Sequence, residues 1–208
     1  MAYSDTEVEI QLEVKRAGFL SVKRFLEKNG KFISETRQAD TYYNHPSKDF
    51  LSPKYPFEWL SIRRRGKNAI VNYKHWYPEN SPRNTHCAEF ETDVKNPEKL
   101  ERILASLGMK KLVTVKKIRR NYSFRGFTVS LDSVEGLGTF IEIEAEKSFG
   151  SPEKTLRKVW EISREIGITE YSESPRGYPY LLMERKGLFP KRRPTRGRSV
   201  ATGKRNRK

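Results

Sequence analysis

Apolar and charged residues alternate at period two in six segments of this 208-residue chain, and that pattern limits its fold more than any other feature. Glu7, Glu9 and Gln11 interleave with Val8, Ile10 and Leu12, and Arg63 and Arg65 follow Leu60 and Ile62. Asn72 and Lys74 alternate with Val71 and Tyr73, and Glu89, Glu91 and Asp93 flank Phe90 and Thr92. Lys117 and Arg119 flank Ile118, while Ile143 and Ala145 space Glu142, Glu144 and Glu146. Successive side chains on a strand point to opposite faces, so each segment sets its charges on one face and mostly apolar groups on the other. A half-exposed antiparallel sheet with cross-strand ion pairs gives the same alternation. Here, however, the charges come in sets of one sign: acidic at 7–9, 89–93 and 142–146, basic at 63–65 and 117–119. Closed into a barrel, such strands would enclose a divided lumen, with carboxylates to hold a cation and Arg and Lys to hold phosphates.

Helices are expected where the period changes. Asn96-Pro97-Glu98 and Ser151-Pro152-Glu153 each combine an N-cap, a proline at the first helical position and an acid that suits the helix dipole. The first carries Leu100, Ile103, Leu104 and Leu107 up to Gly108; the second carries Leu156, Val159, Trp160 and Ile166 up to Gly167. Both stripes have helical spacing and are expected in the core. A third helix over 18–28 uses Phe19, Val22, Phe25 and Leu26. Strands are expected at 33–44, 57–65, 68–76, 86–94, 114–124, 126–133 and 139–147, with hairpin turns at Arg65-Gly66-Lys67-Asn68 and Phe124-Arg125-Gly126. Hairpins rather than crossovers between strands point to an antiparallel α+β architecture.

Length favours one domain, placed at 1–184. The net charge is +16, and eleven Lys or Arg without an acid fall in 185–208, so that segment is expected to be a disordered basic tail able to touch nucleic acid without sequence preference. One cysteine, Cys87, excludes an internal disulfide and a zinc spacing. No run resembles a signal peptide or reaches the roughly 20 apolar residues of a membrane span, so no membrane association and a cytoplasmic location are expected.

Taken in order, several motifs resemble the CYTH superfamily of triphosphate tunnel enzymes, and within it the class IV adenylyl cyclase branch. Glu7-x-Glu9-x-Gln11 is similar to the family's opening Glu-x-Glu-x-Lys, and Asp40-Thr41-Tyr42-Tyr43 to its Asp-x-Tyr-Tyr/Phe. Leu60-Ser61-Ile62-Arg63, Tyr73-Lys74 and Lys117-Ile118-Arg119 with Tyr122 resemble its phosphate-binding strands. Leu131-Asp132, Val134-Glu135-Gly136-Leu137-Gly138 and Phe140-Ile141-Glu142-Ile143-Glu144 resemble its most characteristic run, and Pro175-Arg176-Gly177-Tyr178 with Leu181-Leu182 its closing motif. The resemblance implies an eight-stranded antiparallel barrel whose tunnel binds a triphosphate with Mg²⁺ or Mn²⁺. Glu7, Glu9, Glu142 and Glu144 would hold the metal. Arg63, Arg65, Lys74, Lys117 and Arg119 would hold phosphates, with Gln11, Asp132 and Arg176 as catalytic or supporting residues and Glu89 and Glu91 across the tunnel. Hard cations take carboxylate oxygens and Arg forks onto phosphate, so the residue types suit those roles.

Gln11 departs from the motif, because an amide brings no charge and cannot act as a general base. The expected activity is conversion of ATP to cyclic AMP and pyrophosphate. The alternatives are a triphosphatase acting on tripolyphosphate, thiamine triphosphate, a nucleotide or an RNA 5′ end, and a non-catalytic nucleotide or RNA binder marked by Gln11. The expected partner is a nucleoside triphosphate or polyphosphate, and a homodimer is compatible with the sequence. His45, His75 and His86 have no metal-ligand spacing, though His75 beside Lys74 is within reach of a tunnel mouth; Trp59 and Trp160 are expected in the core and Trp76 at the rim.

Overall fold

Each alternating segment is a strand, and together they form one curled antiparallel sheet. A computed structural model describes residues 6–189. The elements are β1 (Thr6–Glu7), β2 (Glu9–Val14), α1 (Arg16–Asn29), β3 (Lys31–Asn44), β4 (Glu58–Arg65), β5 (Asn68–Tyr77) and β6 (His86–Asp93). They continue with α2 (Pro97–Ser106), β7 (Lys110–Phe124), β8 (Phe127–Val134), β9 (Gly138–Ala145), α3 (Pro152–Glu165), β10 (Ser172–Glu173) and α4 (Gly177–Arg185). The strand order is β1-β6-β5-β4-β3-β7-β8-β9-β2-β10.

The sheet thus has ten strands where eight were expected. The N-terminal strand serves two neighbours in turn: Thr6 and Glu7 pair with Ala88 and Cys87, and from Glu9 onward the chain pairs with β9. It breaks at Val8, where it changes partner, and so counts as two strands while bridging β6 to β9. The two-residue β10, paired to Glu13 and Leu12, is the other addition.

The convex and concave faces have different fillings. On the convex side α1 and α3 cover Leu12, Val129 and Ile143, burying Leu26 and Val159 among them. On the concave side the residue type changes along each strand. Val113 and Val115 of β7 give way at the same period to Lys117 and Arg119, and Phe140 of β9 gives way to Glu142 and Glu144. The apolar end is filled by α4, whose Tyr178, Leu182 and Met183 cluster with Trp59, Val115 and Phe140. The polar end stays open and forms the site described below.

Both Pro-initiated helices start as expected, with Asn96 and Ser151 accepting from Lys99 N–H and Lys154 N–H. The apolar stripe of α2, however, is not core. None of its residues is buried, and Ile103 and Leu107 are 55% and 65% exposed. Arg64 holds this helix from outside through Glu98 (2.7 Å) and Glu101 (2.9 Å). Amphipathic spacing records an apolar face but not what covers it. Helix α4 was not foreseen at all. Its last residue, Arg185, donates to the Gly136 carbonyl at 2.9 Å, and Phe189 meets Tyr180 at 4.5 Å between ring centroids. The boundary expected after Glu184 therefore falls inside a packed segment, and the rest of the expected tail, 190–208, lies outside the described residues. Among the described residues no helix is long and apolar enough to cross a membrane.

Candidate functional site

The concave face encloses a cavity of about 280 Å³. Its lining is the period-two series read along each strand: Glu7, Glu9 and Gln11; Arg63 and Arg65; Asn72, Lys74 and Trp76; Glu89 and Glu91; Lys117, Arg119 and Asn121; Glu142 and Glu144. Curling the sheet brings together segments that are as much as 137 residues apart in the chain, as with Glu7 and Glu144. Of the sequence-predicted site residues, two do not line it. Asp132 lies fully buried behind the lining. Arg176 caps α4 with its guanidinium between the rings of Tyr55 (5.0 Å) and Tyr180 (4.5 Å). His75 does not line it either: its ring stacks on Tyr77 at 4.6 Å and meets Glu79 at 2.9 Å, since period two turns it away from Lys74.

One wall is cationic and braced from behind. Arg119 forks onto Asp132, Nε to Oδ1 at 2.8 Å and Nη2 to Oδ2 at 2.6 Å, and its Nη1 meets Glu142 at 2.8 Å. Asp132 also accepts from the Tyr178 hydroxyl at 2.6 Å and lies 3.7 Å from the Lys117 ammonium. Arg63 donates to Asp40 at 3.1 Å, and Lys117 lies 3.9 Å from the same carboxylate. Burial works against ionising Asp132 and Glu142, yet the adjacent Arg119 and Lys117 charges hold both carboxyls below their usual range. Burial, then the Arg119 charge, lower Lys117. The sequence places Asp40 and Tyr178 in motifs without a role in the site; in the structure they aim these cations. The available signal was cross-strand pairing, since Asp40 stands opposite Arg63 and Asp132 opposite Arg119.

The other wall is acidic, with Lys74 set inside it. The Lys74 ammonium lies 2.8 Å from Glu7, 2.9 Å from Glu89 and 3.7 Å from Glu9. Burial alone would depress Lys74, but Glu9 and the other acids hold it well above its usual value. One ammonium does not neutralise so many carboxylates. Burial, only partly offset by Lys74, pushes Glu7 and Glu9 up to about 8, and burial with repulsion from Glu7 pushes Glu144 up to about 7. Glu89, closely paired with Lys74, overcomes its own burial and falls to about 2. Asn72 bridges the wall, donating to Glu89 and, at 3.5 Å, to Glu91. The division anticipated from sequence is therefore not strict. Lys74 belongs to the acidic wall, and Glu142 is held by the cationic one.

Among the described residues two groups could hold a cation, with their ligand atoms within 4.8 Å of one another: Glu7, Cys87 and Glu89, and Glu9, Glu142 and Glu144. A hard divalent ion takes oxygen ligands. Cys87 is a buried thiol whose pKa is raised well above normal by burial, so it stays protonated and is a poor ligand. The all-carboxylate set fits such an ion, and burial, with neighbouring acids and only a partial offset from Lys74, raises two of its members, Glu9 and Glu144. Gln11 lies beside it and donates to Glu142 at 3.2 Å.

The family model described as CYTH domain matches residues 5–178. A Methanocaldococcus jannaschii protein with the name "Putative adenylate cyclase MJ0240" is 31% identical over 183 residues, covering 87% of this chain and 99% of that one. The solved PH1819 protein of Pyrococcus horikoshii OT3 is 30% identical at a TM-score of 0.73, covering 86% of this chain and 99% of that one. A Hippeastrum structure, "Putative adenylyl cyclase HpAC1", described as having a dominant triphosphatase activity, is 20% identical at a TM-score of 0.58 over 88% of this chain and 95% of its own; at that identity it shows the fold alone.

Proposed function

This chain belongs to the CYTH domain family, and from that premise we propose that it is a divalent-cation-dependent enzyme acting on a triphosphate, with ATP cyclisation as its first reading. Family members bind triphosphates, depend on a metal and are generally adenylyl cyclases or triphosphatases. The observation that carries the reading is the pairing inside one cavity of a braced Arg63–Lys117–Arg119 wall with an all-carboxylate set, Glu9, Glu142 and Glu144. The name of the 31% identical relative favours the cyclase.

Arg63, Arg65, Lys117 and Arg119 bind and orient the phosphate chain through charge-assisted hydrogen bonds to its oxygens. Asp40, Asp132 and Tyr178 hold Arg63, Lys117 and Arg119 in place before substrate arrives, so little reorganisation is needed as charge develops. Glu9, Glu142 and Glu144 would hold Mg²⁺ or Mn²⁺, which when bound would neutralise phosphate charge and polarise the phosphoryl oxygens. In cyclisation the ribose 3′-oxygen forms a bond to the α-phosphorus, the α–β bridging oxygen departs with pyrophosphate, and one proton is released. The Arg63 and Arg119 guanidiniums take up the charge of that leaving pyrophosphate. With water attacking the terminal phosphorus instead, the same walls support a triphosphatase. The predominantly charged lining favours this second reading, because it grips phosphates whatever they carry.

Product identification by mass after incubation with ATP, GTP and tripolyphosphate, with Mn²⁺ or Mg²⁺, tests the proposal. Cyclic nucleotide with pyrophosphate supports the cyclase, and orthophosphate supports the triphosphatase. Unchanged substrates in every case would refute a cyclase on ATP or GTP and a triphosphatase on these three compounds.

A further inference from the structure

We propose that the seam where β2 parts from β6 is a subsite for an amino-bearing nucleobase, which makes the substrate of the main cavity a nucleotide rather than a bare polyphosphate. The inference rests on the triphosphate reading above. The seam follows from the broken N-terminal strand. Only Thr6 and Glu7 pair with β6, whereas β2 swings over to β9, and Ser174 N–H then bonds the Gln11 carbonyl at 2.9 Å. Beside this seam, walled by β2, β10, α3 and the β5–β6 connection, lies a second cavity of about 400 Å³, a size that small-molecule sites occupy. It shares Glu9, Gln11, Trp76 and Gly177 with the phosphate cavity, so one ligand can reach into both.

The chemistry changes across that boundary. Trp76, Trp160 and Tyr171 supply aromatic faces, with Trp160 and Tyr171 meeting at 5.7 Å and a 39° tilt. Among these walls three buried polar atoms have no partner among the described residues: Gln11 Oε1, Asn84 Oδ1 and Ser174 Oγ. Ser174 is only 5% exposed. Orphaned buried groups are costly and rare, and a ligand relieves them. Which amide atom is free is fixed by its companion. Gln11 Nε2 donates to Glu142 at 3.2 Å and Asn84 Nδ2 to the Pro175 carbonyl at 3.2 Å, so both oxygens are the free atoms. The seam therefore offers two acceptors and a hydroxyl between aromatic faces, with Arg83 and Arg164 also on its lining. An exocyclic amino group brings two donors beside a ring nitrogen, on a flat π-system that stacks. Phosphate oxygens are acceptors only and gain nothing from the two amide oxygens.

The test measures Kd by calorimetry on the full chain with Mg²⁺, for α,β-methylene-ATP and for tripolyphosphate, in the wild type, Asn84→Leu and Trp160→Leu. Trp160→Leu is expected to weaken the nucleotide about tenfold or more, the scale of one lost base–aromatic stack, Asn84→Leu about fivefold, the scale of one lost hydrogen bond, and both to shift tripolyphosphate less than about twofold. Because Trp160 is partly core, purine riboside triphosphate serves as a second probe on the unaltered protein: lacking the amino group, it is expected to bind more weakly than ATP. Equal shifts for nucleotide and tripolyphosphate, or no preference for the amino group, would overturn the subsite while leaving the phosphate cavity intact. A wild type that binds neither ligand would overturn the triphosphate reading itself.

Discussion

Gln11 stands directly across the β2–β9 ladder from Glu142 and donates its amide to that carboxylate at 3.2 Å. A lysine here would place an ammonium between the two walls of the cavity. Gln11→Lys is expected to tighten tripolyphosphate by about 1.5–3 kcal/mol, the range for hydrogen bonds to charged groups. The gain for ATP should be smaller, since the unpartnered amide oxygen proposed to meet the base is lost. Calorimetry with both ligands checks this, and a variant that weakens both would show that the amide is adapted to this site.

Glu144 is the cleanest handle on cation binding. It pairs across the ladder with Glu9 and Thr128 and makes no ion pair among the described residues. Glu144→Gln should lower Mn²⁺ affinity by about tenfold or more, about 1.4 kcal/mol, with little change in Tm. Glu142→Ala should remove most metal-dependent turnover and also cost stability, because Arg119 loses one partner. Asp132 still forks onto Arg119, so the cost should stay below the about 3–5 kcal/mol of a fully unpaired buried charge. Manganese titration beside thermal unfolding of both variants separates the two effects.

Acidity should govern cation binding in a definite direction. Burial raises two of the proposed ligands, Glu9 to about 8 and Glu144 to about 7, so a cation taken up near neutral pH competes with protons for them. Affinity for Mg²⁺ should rise from pH 6 to 9 and then level, with proton release measurable by calorimetry in buffers of different ionisation enthalpy. Stability follows the same groups. Their folded pKa values exceed the unfolded ones, so the folded state binds more protons between about 4.5 and 8. Their stabilising contribution is complete below that window and is lost as pH rises through it. Tm without metal should therefore fall from pH 5 to 8, and added Mg²⁺ should restore more at pH 8 than at pH 6.

Most of the sheet and much of the cavity lining were legible because both follow one rule, alternation. Counting by two from Glu9, Arg63, Lys74 or Arg119 stays on the concave face, and eight long strands follow from the runs. What alternation does not carry is a change of partner within one strand, which is why the break at Val8 was missed. Nor does it reveal which acid neutralises which cation. Lys74 lies two residues from Asn72 in sequence, but its company of Glu7, Glu9 and Glu89 is set by register. Helix α4 escaped because its Gly177 start and Pro179 are weak helix signals and its stability comes from Tyr178, Leu182 and Met183 packing into the sheet. Arg176, taken from a motif alone, packs between two tyrosines outside the cavity.

Asp132 should prove to be a positioning residue. It is fully buried and binds Arg119, Lys117 and Tyr178 together. Asp132→Asn leaves two buried cations with less counter-charge and should cost about 3–5 kcal/mol in urea unfolding. Triphosphate affinity should fall even where the protein is fully folded, because Arg119 loses its aim. Unchanged affinity in the folded variant would remove Asp132 from the machinery.

The most direct measurement is a crystal structure with Mn²⁺ and α,β-methylene-ATP, read by manganese anomalous scattering. The expected result is a peak among Glu9, Glu142 and Glu144, with phosphate oxygens on Arg63, Lys117 and Arg119. An empty concave cavity at saturating ligand, or phosphates bound only on the convex face, would contradict the assignment of this cavity as the triphosphate site.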